Sequence, residues 1–157
     1  MSAVGEPVPA RVPTVHASCV SVGDKGVLIR GPSGAGKSHL AFGLILAGGT
    51  ARVPPTRLVA DDRVRLVARG GALLASAPEE LAGLIEVRGA GLRRIDYRAE
   101  VRIALVVDLG AADAERLPME AALRTRVEGV ELPRLPVLAR GDGVQQVLAM
   151  LLTAPGI

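Results

Sequence analysis

Eight residues constrain this chain more than anything else in it. Gly31-Pro32-Ser33-Gly34-Ala35-Gly36-Lys37-Ser38 matches the pattern G-x-x-x-x-G-K-[ST]. With 19 glycines, two lysines and eleven serines plus threonines in 157 residues, chance supplies roughly 0.002 such matches. The flanks agree with the motif. Val27-Leu28-Ile29 predicts an apolar strand before the loop, and Leu40, Ala41, Leu44 and Ile45 form a helical stripe over 38–47. Glycines let successive backbone N–H groups turn inward around an anion, and the helix N-terminus adds positive potential. Lys37 is placed to reach β- and γ-phosphates, and the Ser38 hydroxyl to ligate Mg²⁺. Residues 31–38 therefore predict a site for a nucleoside triphosphate.

The rest of the chain predicts an α/β single domain with a mixed sheet. At 157 residues it can bury one sizeable core, and 49% hydrophobic with 22% charged residues excludes a disordered chain. Residues 1–13, with three prolines, are expected to form a flexible N-terminal tail, leaving 14–157 as the folded domain that carries the phosphate loop. Val15–Val22 and Val27–Ile29 read as a hairpin around the four-residue turn Gly23-Asp24-Lys25-Gly26. Leu58-Val59-Ala60 is a short strand ending in Asp61-Asp62. Val64–Val67 and Ala72–Ala75 flank a Gly70-Gly71 turn. Ser76 is expected to cap a short helix through Leu84, Val101–Leu109 is the strongest strand, and Asp142–Leu152 reads as a closing helix.

Composition also excludes whole classes of function. The net charge is only +3, and with arginines scattered and Phe42 and Tyr97 the only aromatics there is no stacking platform for nucleic acid. A single cysteine, Cys19, excludes an internal disulfide and a cysteine-based zinc site. The N-terminus lacks the apolar run of a secretory signal, and the uncharged run 39–51 is too short to span a membrane. A soluble cytoplasmic protein is expected. No guanine-reading N-K-x-D or transporter L-S-G-G-Q accompanies the loop.

Phosphoryl transfer needs acids as well as a phosphate loop. By hydrophobic pattern, Asp108, after Ile103–Val107, is the better metal-side acid. Asp61-Asp62 has a different argument: adjacent carboxylates repel unless a cation or proton lies between them. Periodicity alone leaves both open.

Four segments, taken in order, resemble the bacterial HPr kinase/phosphorylase family. They are His16, the loop 31–38, Leu58-Val59-Ala60-Asp61-Asp62, and Ile85-Glu86-Val87-Arg88-Gly89-Ala90-Gly91-Leu92, with the 15-residue step from His16 to Gly31. The similarity spans about 14–138 and covers only the family's catalytic domain, as in short forms that lack the N-terminal domain. The resemblance implies His16 as the active-site histidine, Lys37 as the loop lysine, Ser38 and Glu86 as Mg²⁺ ligands and Asp62 as general base. It also matches Arg116, on fewer residues, to an active-site arginine, and demotes Asp108. The implied activity is an ATP- and Mg²⁺-dependent serine kinase acting on HPr or an HPr-like phosphocarrier, with phosphorolysis in reverse, in a hexamer. Three departures stand out. His39 replaces the usual acid, the loop between Lys37 and Asp62 is longer, and the proline- and arginine-rich segment after the last strands shrinks to 136–143. Two other readings fit the loop alone: a small-molecule kinase and a non-catalytic nucleotide sensor.

Overall fold

The computed structural model describes residues 13–138 and 141–156. The expected tail therefore lies outside the described residues except for Pro13, and so do two positions of the shortened 136–143 segment.

The apolar runs form an α/β fold around one curled, mixed nine-stranded sheet. Its main path uses β1 (Thr14–His16), β2 (Ser18–Val22), β3 (Lys25–Arg30), β4 (Thr56–Ala60), β5 (Arg63–Arg69), β6 (Ala72–Ser76) and β9 (Glu100–Leu109). The strand order is β1-β5-β6-β9-β3-β2-β4. β9 runs parallel to β3, and the other neighbours on this path are antiparallel. β7 (Leu84–Val87) and β8 (Gly91–Arg94) form a separate hairpin. β10 (Arg124–Val127) and β11 (Val130–Val137) close the sheet, with β11 parallel to the end of β9. Helices α1 (Lys37–Ala47) and α2 (Gly143–Leu152) complete the set.

Alternation along the strands builds two cores. Val27 and Ile29 of β3 face α1 and α2, packing with Leu40, Leu44 and Val147, while Leu28 faces the inside of the curl. Val64, Leu66, Leu73 and Ala75 line that second core from β5 and β6. β9 serves both: Val101 and Ile103 point into the second core, Leu105 and Val107 into the first. The register shift opposite Gly26/Val27 inserts one residue there, and a one-residue slip turns every following side chain over.

Several expectations change in detail. The run 15–22 breaks at Ala17, because β1 pairs with β5 whereas β2 pairs with β3 and β4. The first hairpin turn holds two residues, Gly23 and Asp24, since Val22 pairs with Lys25. No α-helix follows Ser76, which instead ends β6; only a single 3-10 turn forms at Glu79–Leu81. Gly83, at φ +76°, ends that turn, and Leu84 and Ile85 join β7 with Ile85 in the first core. The β7–β8 and β10–β11 pairs carry weak local patterns and were not anticipated. Asp142 caps α2, accepting from the Gln145 N–H as its position before the helix requires.

Candidate active site

The loop 31–38 joins β3 directly to α1. Gly34 and Gly36 sit at φ +81° and +100°, in the left-handed region that side-chain-bearing residues avoid. Space is not the reason, because a Cβ at either would meet nothing within 4 Å. Ala35 N–H donates to the Pro32 carbonyl, and Leu40 N–H donates to Gly36 as the first helical bond. Gly36 caps α1 without any side chain, so the first-turn amides keep their capacity to bind an anion. Lys37 Nζ crosses its own loop, donating to the Gly31 and Pro32 carbonyls at 2.8 and 3.3 Å.

The break in two strand pairs creates the second half of the site. At Ala17 and Asp62 the chain passes from one pairing partner to the next, and Ala17 N–H donates to the Asp62 carbonyl. Asp61 and Asp62 consequently face opposite ways. Asp61 is only 5% exposed, and its Oδ1 accepts from the hydroxyls of Ser18 and Ser38, both at 2.7 Å. Its Oδ2 accepts from the Glu86 backbone N–H at 3.0 Å. One buried carboxylate thus ties the phosphate loop, β2 and β7 together.

Asp62 stands in the open beside His16, with 3.5 Å between Nδ1 and Oδ1 and side chains 68% and 62% exposed. Its φ of +69° is uncommon for a residue other than glycine, though aspartate tolerates it better than most. Strained positions of this kind concentrate at functional sites.

These pieces line one cleft of about 610 Å³. Ser33–Ser38, His16, Asp62 and Glu86 all border it, as do His39, Phe42 and residues 87–89 of the β7–β8 hairpin. Gly31 and Pro32 form the base of the loop and bind Lys37. Arg116 is not brought here; it is exposed on the segment after β9. Glu86 and Arg88, which sequence alone allows as a surface pair, make no ion pair with each other.

Asp108, the better acid by pattern, is engaged elsewhere. Arg30 grips it through two nitrogens at 2.7 and 2.9 Å, and Arg134 bridges it to Asp113. Burial raises its pKa, but hydrogen bonds and charge from the two arginines outweigh that and hold the carboxyl below its usual range. It cements β3, β9 and β11. Sequence reasoning gave Asp61 no direct contact with the loop and passed over Ser18, because a serine within an apolar strand carries no signal until its partner is known.

The donor set suits a small hard cation. Mg²⁺ is commonly held by one or two carboxylates plus phosphate oxygens rather than by an all-protein cage. Ser38 Oγ and Glu86, which both border the cleft, offer oxygen donors of that kind, and the buried Asp61 holds the Ser38 hydroxyl from behind. Among the described residues, no three His, Cys, Asp or Glu side chains form a closed metal cluster, and no helix is long and apolar enough to cross a membrane.

Comparisons with known proteins bear on the family and the fold. The chain is 38% identical over 138 residues to the HPr kinase/phosphorylase of Geobacillus kaustophilus, an alignment covering 80% of this chain and 42% of the relative. It is 40% identical over 119 residues to that of Bordetella pertussis, covering 68% and 36%. The chain thus spans less than half the length of these curated relatives. The solved Hpr(Ser) kinase/phosphatase from Coxiella burnetii superposes with a TM-score of 0.71 at 23% identity, covering 88% of this chain and 93% of that one, a likeness of fold. The family model of the HPr serine kinase C-terminal domain matches residues 9–147, and the chain belongs to that family.

Proposed function

We propose that this chain transfers the γ-phosphoryl group of ATP to a serine hydroxyl of HPr or an HPr-like phosphocarrier of the phosphotransferase system. The observation that carries this reading is the exposed Asp62–His16 pair on the same cleft as the phosphate loop. A buried acid bonded to Ser38 and an open acid beside a histidine divide two roles between adjacent residues.

The loop amides and Lys37 hold the phosphates and stabilise the charge that spreads over the equatorial oxygens as transfer proceeds. Asp62 accepts the proton of the incoming serine hydroxyl as its oxygen bonds to phosphorus and the bond to the ADP oxygen breaks. In the dephosphorylating direction an oxygen of inorganic phosphate bonds to the phosphoserine phosphorus, the serine Oγ–P bond breaks, Asp62 returns the proton to the serine oxygen, and pyrophosphate leaves. His16 orients the Asp62 carboxylate. Ser38 and Glu86 are the groups that would hold Mg²⁺, which neutralises phosphate charge when bound, with Asp61 fixing the Ser38 hydroxyl. Arg116 enters the proposal only as a residue of the exposed segment after β9, outside the cleft of its own chain. The cytoplasmic setting and hexamer implied by the resemblance belong to the same proposal.

The test is incubation with purified HPr, ATP and Mg²⁺, followed by intact-mass measurement. One phosphate added to HPr is expected, and none with Lys37→Ala, whose circular dichroism should match the parent because, among the described residues, the Lys37 ammonium hydrogen-bonds only to its own loop. Unmodified HPr together with phosphate transfer to a free metabolite would replace this reading by that of a small-molecule kinase.

A further inference from the structure

Strand register gathers four arginines on one open face. On β5, Arg63 lies opposite His16, Arg65 lies opposite Thr14 and Ser76, and Arg69 lies opposite Ala72. On β9, Arg102 lies opposite Leu74, on the same face. The opposite face of these strands is the second core, built by Val64, Leu66, Leu73, Ala75, Val101 and Ile103. The outer face of β1-β5-β6-β9 is therefore where these side chains project.

Their charge is not neutralised locally. Among the described residues, none of the four makes an ion pair. Glu100, opposite Ser76, is the one acid on the same strands and face. The other buried or partly buried arginines in the sheet behave differently, since Arg30 and Arg134 are both saturated by carboxylates. Arg65 lies so close against the sheet that its Nε is buried without a hydrogen-bond partner, which leaves its guanidinium less rotamer freedom to lose on pairing. No lysine shares the face, and arginine is the side chain suited to two-point pairing with carboxylates.

The face is continuous with the cleft. Arg63 follows Asp62 in the chain and pairs with His16 across the strands. From Arg63 to Arg69, β5 runs about 20 Å at the rise of an extended strand. That length falls within a standard protein–protein footprint of about 800 Å² per partner.

We propose that this arginine face is the docking surface for carboxylates on the protein that presents its serine to Asp62. This deepens the function proposed above and rests on its acceptor being a protein. The face guides the acceptor from the sheet onto the cleft. Charge complementarity of this kind raises the association rate and weakens with salt.

The experiment pairs Arg65→Glu/Arg69→Glu, which touches no cleft residue, with Arg124→Glu/Arg126→Glu on β10 as a control of equal charge change. Equilibrium binding of purified HPr, ATP binding and transfer are measured separately from 50 to 500 mM salt. At low salt the Arg65/Arg69 variant should lose about tenfold or more in HPr affinity and in kcat/KM for HPr. Its ATP binding should stay unchanged, and the parent's advantage should shrink as salt rises. Equal losses in both variants, an unchanged affinity in the Arg65/Arg69 variant, or no binding of HPr by the parent overturns the docking surface. So does loss of self-association in place of HPr binding, which assigns the face to a second copy. HPr binding without transfer by the parent overturns the kinase reading alone, and the docking surface is then judged by the binding data.

Discussion

Asp61 and Asp62 are neighbours in sequence, yet replacing them should have opposite consequences. Asp61→Ala removes the only acceptor among the described residues for three donors: the buried Ser18 hydroxyl, the Ser38 hydroxyl and the Glu86 N–H. A buried donor left unpaired costs about 1–3 kcal/mol. Ser18 is fully buried and bears the larger share, whereas Ser38 and Glu86 border the cleft, where water relieves part of the loss. Releasing a buried carboxylate recovers some desolvation energy, so the net loss should be about 3 kcal/mol. For a chain of this size that lowers Tm by about 6–12 °C. Asp62→Asn exchanges an exposed carboxylate for an amide that also adopts the left-handed backbone, and should stay within about 0.5 kcal/mol of the parent. Thermal unfolding followed by circular dichroism reads both. Adding Ser18→Ala to Asp61→Ala deletes the orphaned hydroxyl, so the double variant should be less destabilised than the sum of the singles by about 1 kcal/mol or more. An Asp61→Ala protein melting within 2 °C of the parent would refute the reasoning, as would strict additivity with Ser18→Ala.

Two further outcomes follow from packing and charge. Gly26→Ala should cost about 2–3 kcal/mol in urea unfolding, because its Cβ would lie 2.6 Å from the Arg102 carbonyl oxygen and 2.8 Å from Val101 Cγ1; an unchanged midpoint would mean β9 yields at no cost. Asp108, held below the usual carboxylate range by Arg30 and Arg134, contributes stability that is complete above its unfolded value of about 3.9 and fades as pH falls through its folded value. The stability gap between parent and Asp108→Asn should therefore be widest near pH 6–7 and narrow below about pH 4. A gap independent of pH in urea titrations from pH 7 to 3 would show that the arginines stabilise Asp108 by shape alone.

What the sequence determined by itself is whatever depends on neighbouring residues. The phosphate loop is such a case: its glycines, lysine and serine act within one turn, so strand, loop and helix were legible from residues 27–47. The same holds for the β5–β6 hairpin around Gly70-Gly71 and for α2 behind its Asp142 cap. The family signature located Glu86 on the cleft without revealing that its strand exists, since Leu84–Val87 is too short to show a period and the helix expected after Ser76 runs only to Leu84, the first residue of that strand. Only the tertiary structure decided between the acids. Asp108 ends the better apolar strand, yet Arg134, 26 residues away, and Arg30, 78 residues away, turn it into a structural pair. Asp61 ends a weaker strand, but the breaks at Ala17 and Asp62 direct it inward to Ser18 and Ser38. Which face a strand residue shows, and which distant charge stands opposite it, is set by pairing partner and register, and these follow from the energy of the whole sheet rather than from the composition of any one strand.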